Sequence, residues 1–330
     1  MRVGGAISPL FLSGSDRPKV AVLEGGDAQR PRPAQSNSRA IREGCEAIGC
    51  ESVAIPLGPA ADADLVEARA DLAMSAVFDS RLDDGGVAEL CEGLGIPFAG
   101  SLAAAQRKAA DKVACGAWLA RARIDVPKQK VITRGAVQQL GFGVALPAIA
   151  AQLGQTLVVK PVHGSAGFGV RRAKSLVDVP GAVLSALSYD DSVVIEPAIE
   201  GDEYTVLVAG GPRGSWAVGI AAVVADDADP RRTAAWARSY RPFPSGLDVA
   251  RQRIATTARR AADAIGCMGL ATVDVIVDAR GGEWVIDVDC QVDWTSDGRM
   301  AACLASNDLS RPELLASVLA ETLAPKREAA

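Results

Sequence analysis

The order of apolar patterns in the 330-residue chain predicts a mixed fold, α/β at the amino-terminal end and α+β beyond it. Three observations carry that expectation. Strand-like runs KVAVLEGG (19–26) and DLAMSAVFD (71–79) flank a helical pattern around SRAIREGCEAIG. Further on, LVVKP runs through the glycine-rich stretch VHGSAGFGV towards two more strands, SVVIEPAI and DEYTVLVAGG. Near the carboxyl end, TVDVIVDARGGEWVIDVD reads as a hairpin around a Gly-Gly turn.

In chain order, residues 1–100 read as a Rossmann-like domain built on the first strand–helix–strand alternation. GIPFAGS then leads into one alanine-rich helix, AAAQRKAADKVACGAWLARA, which opens a second part over 101–206. That part holds the glycine loop, a short helix near PGAVLSAL and the strands around it. The third part, 207–330, has a strand SWAVGIAAVVA, a polar loop DDADPRRTAAWARS and a helix VARQRIATTARRAADAIG. In that helix Ile254, Ala258, Ala261 and Ile265 recur at helical spacing. The hairpin and a last helix near RPELLASVLAETLA complete the order, and no internal repeat interrupts it.

A formal net charge of -5 provides no basic face for nucleic acid or anionic lipid, so a small-molecule partner is expected. No apolar run approaches the roughly 20 residues that span a bilayer, and the expected location is cytoplasmic. The seven cysteines form no CxxC pair and read as reduced core residues. With His163 the sole histidine, Ser-His-Asp and His-metal chemistry would rest on one residue.

The glycine stretch lacks the GK[ST] of a Walker A loop, and the GVRRAKS after it reads as a strand, so it does not open a helix. It is a strand–loop–strand flap whose backbone N–H groups can approach phosphate oxygens, with Lys160 as a point charge beside them; an ordinary glycine-rich turn would look the same in isolation. In the hairpin, a four-residue turn over 279–282 would set Asp278 against Glu283 and Asp274 against Asp287, with Asp289 further along the same face. Opposed like charges with Cβ atoms about 5 Å apart are destabilising and call for a cation, unless the register differs and the hairpin edge is simply solvated. Oxygen ligands suit Mg²⁺, which binds through one or two carboxylates plus substrate phosphates. Together, loop and hairpin predict a nucleoside triphosphate with Mg²⁺.

These segments resemble the ATP-grasp superfamily and, within it, the D-alanine:D-alanine ligase family. KPVHGSAGFGV is similar to KPxxGxGGxGV, with Ala166 for a glycine; VVIEPAIEGDEYTV and GLATVDVIVDARGGEWVIDVD resemble the strand–turn–strand and the metal hairpin. GGDAQRPRPAQSNSRAI, DDGGVAELCEGLGIPFAGS and the DK at 111–112 fall at family spacing, so the resemblance covers about residues 19 to 324. It implies an ATP-grasp fold with an N-terminal Rossmann-like domain, ATP and Mg²⁺ as cofactors, and a homodimer. By position, it implies that Lys112, Lys160, Ser165 and Gly167 contact ATP phosphates, that Glu196 meets adenine and that Glu203 holds the ribose. Asp274 matches the metal aspartate, while Asp287 and Asp289 stand where the family has Glu and Asn. Arg231 or Arg232 takes the place of a phosphate-facing lysine, and His163 falls at a variable loop position.

The departures gather on the substrate side. Arg32 replaces a glutamate that would grip an ammonium, Ala34 a serine and Phe78 a histidine; Thr272 replaces the oxyanion arginine, and Val292-Asp293 replaces a Pro-Gly donor. Losing one oxyanion donor typically costs about 100- to 1,000-fold in rate. The expectation is therefore an ATP-dependent carboxylate–amine ligase working through an acyl phosphate on small amino acids or related acids, in specialised metabolism. Arg32 suits an acidic first substrate, and Asp293 is placed to receive the amine. Two alternatives stand beside it: a genuine D-alanine:D-alanine ligase of peptidoglycan synthesis, and a catalytically silent ATP-binding subunit.

Overall fold

The computed structural model describes residues 17–25, 31–77, 84–141, 145–164, 167–212, 214–224, 239–296, 298–307 and 309–324; in the helix that begins at Pro31, side chains are described from Gln35 onward. The first part contains β1 (Lys19–Glu24), α1 (Pro31–Ala47), β2 (Glu51–Pro56), α2 (Ala61–Glu67), β3 (Leu72–Ser75) and α3 (Gly86–Leu94). Its sheet is parallel in the order β2-β1-β3. Both faces are covered, as parallel sheets require: Val20 and Val22 point into one core and Ala21 and Leu23 into another.

The second part runs α4 (Ala103–Ala110), α5 (Lys112–Arg121), β4 (Lys130–Thr133), α6 (Arg134–Leu140), α7 (Ala145–Leu153), β5 (Leu157–Pro161), β6 (Arg171–Ala173), α8 (Val179–Ala186) and β7 (Ser192–Pro197). Its antiparallel sheet has the order β4-β7-β5-β6. The single alanine-rich helix expected here is two helices. Asp111 leaves helical geometry (φ -87°, ψ 103°) and its Oδ1 accepts from the N–H groups of Val113 and Ala114, both at 2.9 Å. An aspartate that caps a new helix ends the old one. The break matters for function, because Lys112 becomes the first residue of α5.

The third part comprises β8 (Gly201–Gly211), β9 (Gly214–Val224), β10 (Ser239–Pro242), α9 (Asp248–Ile265), β11 (Gly269–Asp278), β12 (Glu283–Asp289), α10 (Arg299–Leu304) and α11 (Arg311–Leu323). Its antiparallel sheet has the order β10-β9-β8-β11-β12. β8 passes through residue 206 unbroken, so the division expected there would fall inside a strand of this sheet. One sheet face packs on α9, whose Ile254, Ala258, Ala261 and Ile265 are all buried. The other face shares a core with the first part, where Leu207 and Ala209 join Val20, Ile41, Leu314 and Val318.

The hairpin reaches its expected pairing by an unexpected route. Its turn is tighter: Glu283 faces Val277, and the Asp278 N–H donates to Gly282 O at 2.9 Å. A bulge at Ile286 then adds one residue to β12, so Asp274 still lies opposite Asp287 and Thr272 opposite Asp289. Packing explains the bulge. Val285 and Val288, three residues apart, both join the core under α9, and only an extra residue lets both face inward. Asp287 and Asp289 are thereby turned to the opposite face.

Helix α10 lies close on β9. A Cβ at Gly219 would collide with the Cys303 carbonyl oxygen, so the helix approaches only over a glycine. Gly219→Ala is expected to cost about 1–3 kcal/mol, read as a lower urea midpoint with an unchanged slope. A variant with the wild-type midpoint would show that this approach is not a tight one.

Candidate active site

Strand β5 alternates Leu157 and Val159 into the core and leaves Lys160 on the other face. There its Nζ lies 2.8 Å from Glu196 Oε2 on β7, with both side chains largely buried, and 3.3 Å from the carbonyl oxygen of Ile286 at the bulge. Burial lowers the Lys160 pKa, but Glu196 and then Asp287 raise it by more, so it is held above the ordinary lysine value. Gln129 Nε2 donates to Glu196 Oε1 at 2.9 Å and to Lys112 O at 3.1 Å. This glutamine, absent from the sequence expectations, ties Glu196, the partner of Lys160, to the start of α5.

Lys112 heads α5, and its N–H donates to Val162 O at 3.1 Å while its Nζ donates to Gly164 O at 2.6 Å, at the mouth of the glycine loop. His163 anchors the same entry. Its N–H donates to Asp190 Oδ2 at 2.7 Å, its Nδ1 lies 3.1 Å from the same oxygen, and its Nε2 is 3.9 Å from Asp111. These contacts make His163 a clamp on the loop's stem. Burial pushes the Asp190 pKa up, yet the hydrogen bonds from His163 and Asp191 pull it down further, below the ordinary value. Gly167 and Gly169 have φ of +69° and +72°. A Cβ at Gly169 would stand 2.7 Å from both Pro161 Cγ and Tyr189 Cδ2. Ser165 lies outside the described residues.

On the hairpin, Asp274 is buried and its Oδ1 has no hydrogen-bond partner. Opposite it, Asp287 Oδ1 accepts from the next N–H, Val288, at 3.2 Å. Asp289 differs. Its Oδ1 accepts from Gln291 N at 2.8 Å and its Oδ2 from Arg299 Nη2 at 2.8 Å, so both oxygens are engaged by protein. Arg299, the first residue of α10, also sets Nη1 3.9 Å from Asp274 Oδ2. Burial raises the Asp289 pKa against the pull of Arg299; it would lower that of Arg299, but Asp289 and Asp274 raise it by more. Among the described residues no three Asp, Glu, His or Cys side chains gather closely enough to hold a metal, so the expected three-carboxylate centre is not formed. The pair Asp274 and Asp287 does fit a cation: one buried oxygen is orphaned and its register partner is a second carboxylate.

Glu203 lies on β8, opposite Ile276, and contributes to the field that raises Lys160. Thr272 Oγ1 is buried without a partner beside Asp289. Asp293 Oδ1 accepts from Thr295 N at 2.9 Å, in a segment tied to α1 by Trp294 N donating to Asn37 Oδ1 at 2.7 Å. Arg32 falls in α1 with its side chain outside the description; Phe78, Arg231 and Arg232 lie outside the described residues altogether. Arg299 was not foreseen. Its signal was a single charge opening an otherwise apolar segment, RMAACL, whose Met300, Cys303 and Leu304 are buried.

No helix among the described residues is long and apolar enough to cross a membrane. The family model described as "D-ala D-ala ligase C-terminus" matches residues 119–320. The chain is 30% identical over 311 residues to the D-alanine–D-alanine ligase of Pseudomonas entomophila, covering 93% of this chain and 94% of that one. It is 31% identical over 292 residues to that of Gloeobacter violaceus, covering 87% and 92%. In fold it is similar to the D-alanine–D-alanine ligase of Bacillus anthracis, with a TM-score of 0.76, 22% identity and 93% and 98% coverage. The VanG D-Ala:D-Ser ligase of Enterococcus faecalis gives a TM-score of 0.76 at 20% identity, with 93% and 100% coverage. The chain therefore belongs to the D-alanine–D-alanine ligase family, ATP-grasp enzymes that form a carbon–nitrogen bond with release of ADP.

Proposed function

We propose that the chain joins two molecules of D-alanine at the expense of ATP. The observation that carries this reading is Lys160 Nζ, which lies 2.8 Å from Glu196 and 3.3 Å from Ile286 O, linking the nucleotide strand to the carboxylate hairpin. The relatives support the substrate: matches spanning 92–93% of this chain are named D-alanine–D-alanine ligase. The expectation of a specialised-metabolism ligase accordingly gives way to the ordinary dipeptide ligase.

In this reading Lys112 and Lys160 hold the phosphates beneath the loop, Glu196 faces the adenine and Glu203 the ribose. Asp274 and Asp287 would hold Mg²⁺, which when bound neutralises charge on the phosphoryl group. One carboxylate oxygen of the first D-alanine attacks the γ-phosphorus and ADP leaves. The amine of the second attacks the acyl carbon; inorganic phosphate leaves and the amine loses a proton. Positioning and charge neutralisation supply most of the rate.

The test is D-alanine with Mg-ATP, following ADP and dipeptide together; equal amounts of each are expected. ADP released only with some other carboxylate would favour a second reading, a changed first substrate, which rests on Arg32, Phe78, Thr272 and Asp293 taken together. No ADP with any carboxylate would leave a silent ATP binder.

A further inference from the structure

The acidic face of the hairpin contains its own cation. Thr272 and Asp274 share one face of β11, and Asp289 and Asp287 lie opposite them on β12. Arg299 reaches this face from α10, with Nη2 2.8 Å from Asp289 Oδ2 and Nη1 3.9 Å from Asp274 Oδ2. Its guanidinium thus spans the diagonal between Asp289 and Asp274. Arg299 is itself only 17% exposed, and the close packing of α10 on Gly219 fixes its origin. Three carboxylates and one arginine leave a net charge of -2 here, and both oxygens of Asp289 already accept hydrogen bonds.

We propose that Arg299 is the resident counter-ion of this face, occupying Asp289 so that the hairpin takes one divalent cation, through Asp274 Oδ1 and Asp287, and takes it only with the nucleotide phosphates. Two carboxylates facing a fixed positive charge are a weak metal site alone; phosphate oxygens complete it. Arg299 is then a residue that sets how many cations the site holds and when. The inference rests on the ligase reading only in taking this face as the metal side of the ATP site.

The experiment uses Mn²⁺ as the probe and the full chain without nucleotide, followed by electron paramagnetic resonance and by melting. Wild-type chain should bind Mn²⁺ weakly and melt at the same temperature with or without it. Arg299→Gln keeps a donor for Asp289 but removes the charge; it should bind Mn²⁺ at least about 10-fold more tightly and be stabilised by it, since a ligand bound only by the folded state raises its stability. Arg299→Lys keeps the charge and should behave as wild type. An Arg299→Gln chain that folds only with Mn²⁺ present would also support the proposal. Equal Mn²⁺ affinity in wild type and Arg299→Gln would overturn it, as would an equal gain in Arg299→Lys or a Gln variant that fails to fold with or without the ion. None of these readouts depends on dipeptide formation, so a failed ligase assay and a failed counter-ion proposal are distinguishable.

Discussion

Lys160→Met is expected to be the most damaging single change in the chain. Its Nζ is bonded to Glu196 at 2.8 Å, with side-chain exposures of 12% and 5%, so the substitution leaves a buried carboxylate without its cation. Removing one partner of a buried pair typically costs about 3–5 kcal/mol. Gln129 still donates to Glu196 Oε1, which favours the lower end of that range. Nucleotide affinity should fall about 10-fold or more, because a charge-assisted bond to phosphate is worth about 1.5–3 kcal/mol. The two effects separate in Lys160→Met/Glu196→Gln, which should regain much of the stability but none of the ATP affinity in calorimetry. If the double variant bound ATP like wild type, Lys160 would be a purely structural residue. The pair also has a definite pH dependence. Lys160 is raised above its ordinary 10.5, so its stabilisation is complete below that pH and is lost as pH climbs through the higher folded value.

Asp274→Asn should separate stability from activity in the opposite sense. The wild-type carboxylate is buried, faces Asp287 in register and has one oxygen without a partner, all of which disfavour the free protein. Removing its charge is expected to leave the melting temperature at least as high as wild type. Turnover should fall about 100-fold or more, since a metal ligand near the migrating phosphoryl group contributes on the order of 3 kcal/mol to the transition state. Raising Mg²⁺ should recover little of it. A lower melting temperature with wild-type turnover would assign Asp274 to structure and move the cation elsewhere. A stabilising loss of charge paired with lost activity is the usual signature of a site built at the expense of the fold.

Most elements were legible because their signals are local. Apolar alternation in KVAVLE and LVVKP, helical spacing in the long third-part helix and the Gly-Gly turn each depend on neighbours within a few residues. The helix break at Asp111 was missed for a related reason: AAAQRKAADKVACGAW keeps helical composition throughout, and only the capping bonds of Asp111 reveal a restart. Helix α10 was missed because six residues carry too little periodicity to read.

The run of strand and helix signals and the lysine ahead of a glycine loop were readable from the chain alone. Both follow from residue type and from periods of 2 and 3.6. The sequence held a trace of the bulge too, in the three-residue spacing of Val285 and Val288, but only the packing of both valines under α9 makes that spacing decisive. Tertiary structure alone decided which charges meet. Lys160 and Glu196 are 36 residues apart on neighbouring strands, while Arg299 enters the acidic face from a helix whose place depends on a glycine in β9. An ion pair has no sequence period. It is set by distance and burial, and these exist only once sheets and helices have packed.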